Sequence, residues 1–301
     1  MEKAAGENDL IIVKTGTRGI SNEAMNMLDL DVMREIALDM RALNQLNTDD
    51  TSTEAGNLRT LLVSSAGVTA GVEAMGKDRP KDEDTKAMRL ASMVGGKYLY
   101  KAWEEAFGLL VAEGLVTGHE LDVDEVWNLV VEGVALSLKE GYMPVFNNND
   151  AVSDEELFGK IKSRKGIERK HFGDNDQLAS QLARKLGSFA TAYAEIDTTL
   201  VLLTDTDGFR EEHEDPGTVV SVMYADDMER YFSMINDDNS NNGGMKSKLE
   251  AARSAANAGV RVVISSTRES QPVTRALSGE VGTVILPTNS EVDHVSSSAN
   301  R

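Results

Sequence analysis

Thr199-Leu200-Val201-Leu202-Leu203-Thr204-Asp205-Thr206-Asp207-Gly208 decides the fold class. Thr199 to Leu203 form an unbroken apolar run, the pattern of a strand buried on both faces. Two-sided burial belongs to parallel sheets, where crossover helices cover each face. The run then stops at a Thr, two Asp and a Gly.

Working outward, the same grammar repeats. Leu10-Ile11-Ile12-Val13, Leu61-Leu62-Val63, Leu109-Leu110-Val111, Met143-Pro144-Val145-Phe146, Val260-Arg261-Val262-Val263-Ile264 and Thr283-Val284-Ile285-Leu286 read as further short strands. Between them the spacing predicts helices over 22–46, 82–107, 122–139, 175–187 and 245–258. In 22–46, Met25, Leu28, Val32, Ile36, Met40 and Leu43 recur every three or four residues. In 122–139, Val126, Leu129, Val130, Val134 and Leu138 share one face. Strands alternating with helices predict an α/β protein, a three-layer αβα sandwich around a mostly parallel sheet with right-handed crossovers. The domain is expected to span 1–289, with a polar, disordered tail over 290–301.

The chain has 301 residues, ample for a buried core. It carries 31 basic and 50 acidic residues, a net charge of −19, which argues against a nucleic-acid surface and against docking on anionic lipid. There are no cysteines, so disulfides, Cys-ligated zinc and thiol catalysis are excluded. No apolar run reaches the roughly 18 residues of a bilayer span. Met1 to Asp9 lacks the features of a signal peptide, so a cytoplasmic protein is expected. The four histidines have no metal-ligand spacing, and no protein-held metal site is expected.

In parallel α/β sheets ligands bind beyond the carboxyl ends of the strands. Lys14 ends the first strand and Gly16 follows. A Lys beside loose backbone N–H groups suits phosphate, although a strand-end Lys also snorkels to water. Ser65-Ala66-Gly67-Val68-Thr69-Ala70-Gly71 opens a helix with small residues, suited either to backbone approach by a ligand or to close packing. Asn147-Asn148-Asn149-Asp150 makes a polar rim. Phe172-Gly173-Asp174-Asn175-Asp176 sets two carboxylates and an amide before a helix. Asn242-Gly243-Gly244-Met245-Lys246-Ser247-Lys248 puts two lysines into the first turn of a helix, against the macrodipole, a mismatch that a bound anion would relieve. Lys160 to Lys170 is a basic island, either a solvated loop or a flap for an anionic substrate.

Taken in order, these motifs resemble the amino-acid kinase family, over Asp9 to Pro287. The resemblance implies the family's carbamate kinase-like sandwich, with an acyl-substrate site in the N-terminal part and a nucleotide site in the C-terminal part. It implies ATP-dependent phosphorylation of the γ-carboxylate of L-glutamate to γ-glutamyl phosphate, the first step toward proline, with Mg²⁺ bridging phosphate oxygens. It implies Lys14 and Lys248 at the transferring phosphoryl, with Asp174 and Asp176 orienting them. Ser65, Asp150 and Asn175 correspond to glutamate-binding positions. Lys14, Thr204, Asp205 and the stretch Asn242, Gly243, Gly244, Met245, Lys246, Ser247 and Lys248 correspond to nucleotide contacts. A homo-oligomer, dimer or tetramer, is likewise implied. The chain stops after Pro287, so the extra C-terminal β domain of many members is expected to be missing.

Four departures from the family pattern bear on the substrate: Ala66 in place of a glycine, Asn242 in place of a threonine, Gly96 in place of a glutamine, and an insertion over 157–170. They leave two alternatives open. One is a kinase for another amino-acid carboxylate, and the other is a binding module without turnover.

Overall fold

Side chains alternate across a strand, and that alternation sorts this chain into layers. On β1 (Leu10–Thr15), Ile11 and Val13 face one core cluster and Ile12 faces the other. The structure is a computed structural model and describes residues 9–22, 24, 26–45, 60–81, 84–152, 175–194, 197–212, 215–235 and 243–287. The basic island, the 157–170 insertion, Asp174, Asn242 and the 290–301 tail lie outside the described residues.

After β1 come a small hairpin, β2 (Ser21–Asn22) with β3 (Met27–Leu28), and then α1 (Leu30–Gln45). β4 (Thr60–Ser64), α2 (Gly67–Met75), α3 (Thr85–Phe107), β5 (Val111–Val116), α4 (Gly118–Leu121), α5 (Asp124–Lys139) and β6 (Met143–Asn148) complete the first half. The second half holds α6 (Asn175–Ala194), β7 (Thr198–Thr204), β8 (Val222–Tyr224), α7 (Met228–Phe232), α8 (Gly243–Ala256), β9 (Arg261–Ser266), α9 (Pro272–Leu277) and β10 (Thr283–Leu286).

Eight strands form one sheet in the order β5-β6-β4-β1-β7-β9-β10-β8. The β9–β10 pairing is antiparallel and the other pairings of this sheet are parallel. One face packs Val13, Leu62, Val145, Val201 and Val263 against α1, α3 and α9. The other packs Ile12, Val63, Phe146, Leu202 and Ile264 against α5, α6 and α8. The chain leaves β1 for β4 and the β5 edge, then returns through α6 to β7 on the other side of β1. That reversal opens a crevice at the carboxyl ends of β4, β1 and β7.

Several boundaries differ from the sequence expectation. The helix expected over 22–46 begins at Leu30, because Asp29 caps it: its carboxylate accepts from the Val32 N–H at 3.2 Å. The strand expected at 109–111 runs instead over Val111–Val116. Gly108 closes α3 with φ +64°, Leu110 is exposed, and pairing with β6 starts at Val111. Asn147 and Asn148 lie inside β6 rather than in a loop, held by pairing to Leu115 and Val116. On α5, Leu129 is exposed rather than on the buried face. β8, α9 and the small hairpin have no counterpart in the sequence expectation.

α2 and α3 meet through a seam of small residues. A Cβ built on Gly71 would lie 1.8 Å from the Ala91 carbonyl oxygen, and one on Gly95 would lie 1.9 Å from that of Gly67. Gly67-x-x-x-Gly71 and Ala91-x-x-x-Gly95 therefore face each other with backbones in contact. The next residue, Gly96, has nothing within 4 Å of its would-be Cβ. The adjacent glycines should respond to alanine with opposite signs. In urea denaturation, Gly95→Ala should lose about 3 kcal/mol through overpacking against backbone that cannot yield. Gly96→Ala should gain about 0.5–1 kcal/mol through helix propensity.

Candidate active site

Strand alternation also delivers the first charged group. Lys14 shares a face of β1 with Ile12, so it rises on the side covered by α6 and α8. There its Nζ meets Asp176 Oδ1 at 2.6 Å, and Lys248 Nζ meets Asp176 Oδ2 at 3.3 Å. All three groups are buried: Lys14 is 4% exposed, Asp176 3% and Lys248 9%. Asp176 is the second residue of α6, and Lys248 lies in the second turn of α8, where its Nζ also donates to the Gly244 carbonyl at 3.4 Å. Burial alone would raise the Asp176 pKa. The ammonium groups of Lys14 and then Lys248 outweigh it and hold the carboxyl below its ordinary value. Among the described residues, these two cations share this carboxylate.

The neighbouring residue of α6 serves the other half of the site. Asn175 is 1% exposed and both of its side-chain amide hydrogens are committed. Its Oδ1 accepts from the Asn148 N–H at 3.0 Å, and its Nδ2 donates to Ser65 Oγ at 3.2 Å and to Asn147 Oδ1 at 3.0 Å. Asn175 thus ties the end of β6 to the loop after β4, an arrangement that positions neighbours and leaves no amide hydrogen for a ligand. Asp150 is buried just beyond β6. Asn148 Nδ2 donates to its Oδ1 at 2.8 Å and Ser92 Oγ to its Oδ2 at 2.7 Å. Each carboxylate oxygen retains a lone pair, so Asp150 can still receive a cation.

The loop after β4 is braced from below. Trp103 Nε1, fully buried on α3, donates to Ser64 Oγ at 2.8 Å, and Ser64 Oγ donates to the Ser65 carbonyl at 2.9 Å. Ala66 then takes φ +82°, ψ 16° at the start of α2, a left-handed conformation that costs a residue with a Cβ about 1 kcal/mol.

On the far side of β1, Thr204 ends β7 and its hydroxyl donates to Asp205 Oδ1 at 2.9 Å, with Asp205 exposed. Gly243 and Gly244 open α8. Lys246 is exposed and Ser247 half-buried, whereas Met245 packs on the apolar cluster around α6 and α8. Asp174 and Asn242 lie outside the described residues. Sequence reasoning missed Ser92 and Trp103 on α3; a single polar or aromatic residue in a long amphipathic helix gives no local signal of its contacts.

Among the described residues no group of three or more His, Asp or Glu is placed to hold a metal ion. The donor set suits phosphate instead: two buried ammonium groups with one carboxylate between them. That chemistry is what a nucleotide phosphate would require. No helix of the described residues is long and apolar enough to cross a membrane.

The crevice at the reversal of the parallel sheet thus holds two buried lysines, groups suited to binding phosphate. The sequence model of the amino acid kinase family matches residues 9–266, and the chain belongs to that family. It is 31% identical over 275 residues to the glutamate 5-kinase of Thermus thermophilus, covering 89% of this chain and 65% of that protein. It is 31% identical over 285 residues to the glutamate 5-kinase of an Azoarcus species, covering 91% of this chain and 67% of that protein. The chain therefore spans about two thirds of the length of these relatives. An isopentenyl phosphate kinase of known structure shares the fold, with a TM-score of 0.50 at 17% identity over 92% of this chain and 99% of that one.

The shared carboxylate makes a coupled prediction. Asp176, with its depressed pKa, contributes stability that is present above the ordinary carboxylate pKa and lost as pH falls through the folded value. Lys248→Ala removes one of the two cations that depress it, so that loss should begin at higher pH. The acid-unfolding midpoint, followed by circular dichroism, should move up, while turnover at neutral pH falls by about 100-fold or more.

Proposed function

We propose that the protein transfers the γ-phosphoryl group of ATP to the γ-carboxylate of L-glutamate, giving γ-glutamyl phosphate and ADP. The observation that carries the reading is the buried Lys14–Asp176–Lys248 bridge beside the Asn175–Ser65–Asp150 network. The likeness to glutamate 5-kinases supports the choice of substrate, and proline synthesis is the route that this product would feed.

The chemistry brings two anions together. A substrate carboxylate oxygen forms a bond to the γ-phosphorus, and the bond from that phosphorus to the β,γ-bridging oxygen breaks, its electron pair leaving on ADP. The attacking carboxylate is already ionised at neutral pH, so no general base is required. The protein's task is to offset charge and fix geometry. Lys14 and Lys248 would neutralise the phosphoryl oxygens as charge moves toward ADP. Asp176 holds the two ammonium groups apart, one on each of its oxygens. Asp150 would receive the substrate ammonium, while Ser65 and Asn175 hold the loop and strand around it. Thr204, Asp205 and the start of α8 from Asn242 to Lys248 would receive the nucleotide, with Asp174 assisting the lysines. Mg²⁺, when bound to the nucleotide, would supply further neutralisation of the phosphate oxygens. A cytoplasmic site of action and self-association belong to the same proposal.

Ala66 favours a second reading, the same transfer to a different amino-acid carboxylate. Its Cβ occupies a strained position in the loop beside Ser65, where a change of acyl substrate would be felt.

Hydroxylamine trapping separates these readings. The protein is incubated with ATP, Mg²⁺ and a panel of carboxylates, and acyl phosphate is captured as a coloured hydroxamate. Glutamate should give the largest signal. A larger signal from another amino acid would favour the second reading, and no signal from any acid with folded protein would contradict both.

A further inference from the structure

The α2–α3 seam has a consequence for Asp150. Ala91 and Gly95 press α3 against α2 so closely that Ser92 lands beside Gly67, where a Cβ built on Gly67 would lie 3.2 Å from Ser92 Oγ. Ser92 is buried at 8% exposure. From there its hydroxyl donates to Asp150 Oδ2 at 2.7 Å, 58 residues away in sequence. The opposite oxygen is held by Asn148 at 2.8 Å.

An ionised carboxylate can only accept hydrogen bonds. Two donors arriving from different elements, a helix and a strand end, therefore hold both of its oxygens and restrict its rotation. Ser92 spends its one proton on Asp150. A cation that meets this carboxylate finds an anion already oriented, and the ordering cost of binding falls. Without the hydroxyl, Asp150 keeps one donor and regains rotational freedom in a site that water scarcely reaches.

We propose that Ser92 is a positioning residue for the amino-acid substrate: it fixes the Asp150 carboxylate against the substrate ammonium, so that the packing of α3 on α2 sets amino-acid affinity. The inference rests on the phosphotransferase reading above and adds a residue from the middle of α3, away from the strand ends and helix starts that carry the rest of the site. Its footprint is confined to the amino acid. Ser92 contacts neither lysine, so nucleotide affinity and the transfer step should be spared.

The test is a double-mutant cycle in steady-state kinetics with the full chain: wild type, Ser92→Ala, Asp150→Asn and the double variant. Ser92→Ala should raise KM for glutamate about tenfold, the usual worth of a hydrogen bond to a charged group. Its kcat and KM for ATP should stay within about twofold of wild type. In the Asp150→Asn background the same change should add little, because the partner charge is gone. An unchanged KM for glutamate, or an equal rise in the Asp150→Asn background, overturns the inference while leaving the kinase reading intact. A parallel loss of kcat and of ATP affinity, the mark of a general structural defect, overturns it too. Should Ser92→Ala fail to fold, the isosteric pair Ser92→Thr and Ser92→Val, with and without the hydroxyl, carries the comparison. Wild type without glutamate turnover contradicts the kinase reading before any variant is made. The four proteins are then compared by the shift in Tm on adding glutamate, and no shift in wild type overturns this inference as well.

Discussion

One carboxylate between two buried lysines is the constraint around which the crevice is organised. Bringing three charges out of water is costly, and a lone buried lysine would lose its proton rather than stay charged. Asp176 offsets that cost for Lys14 and Lys248 together, touching each with a different oxygen. The surrounding chain carries a net charge of −19, so two lysines brought together at the crevice run against the field of the whole molecule.

The same helix start joins the two halves of the site. Asn175 and Asp176 are consecutive, yet they serve opposite sides of β1. Asp176 holds the lysines of β1 and α8, and Asn175 ties the end of β6 to the loop after β4. A shift of α6 would therefore move both halves together. The loop after β4 is fixed a second time by the Trp103–Ser64–Ser65 chain of hydrogen bonds, and a third by the glycine seam that seats α2 on α3. These supports come from packed cores and buried hydrogen bonds, which hold geometry more firmly than surface loops.

Much of this was legible in the sequence, for identifiable reasons. The apolar run Thr199 to Leu203 carried the parallel sheet, and the abrupt polar endings at Lys14, Ser65, Asp150 and Thr204 marked the carboxyl ends of strands. The two lysines at the start of α8 stood out because they oppose the helix dipole, and the structure sets one of them against Asp176. Other features had no local signature. Glu113 and Gly114 interrupt the apolar pattern of β5, which lies at the sheet edge and tolerates them. The periodicity that predicted a helix from residue 22 ran through a hairpin, and only the Asp29 cap fixes its true start. The spacing of Gly67 to Gly71 and of Ala91 to Gly95 was readable, but that these pairs face each other is a property of the tertiary fold. Ser92 lies beyond the reach of pattern reading for the same reason.

The most direct measurement is the turnover of Asp176→Asn, made alongside circular dichroism and thermal denaturation of the same protein. The side chain keeps its shape and loses its charge, taking away the anion that Lys14 and Lys248 share. The account predicts a folded protein whose kcat falls by about 100-fold or more. A variant with wild-type kcat would contradict it, because the lysines would then be shown to need no carboxylate between them.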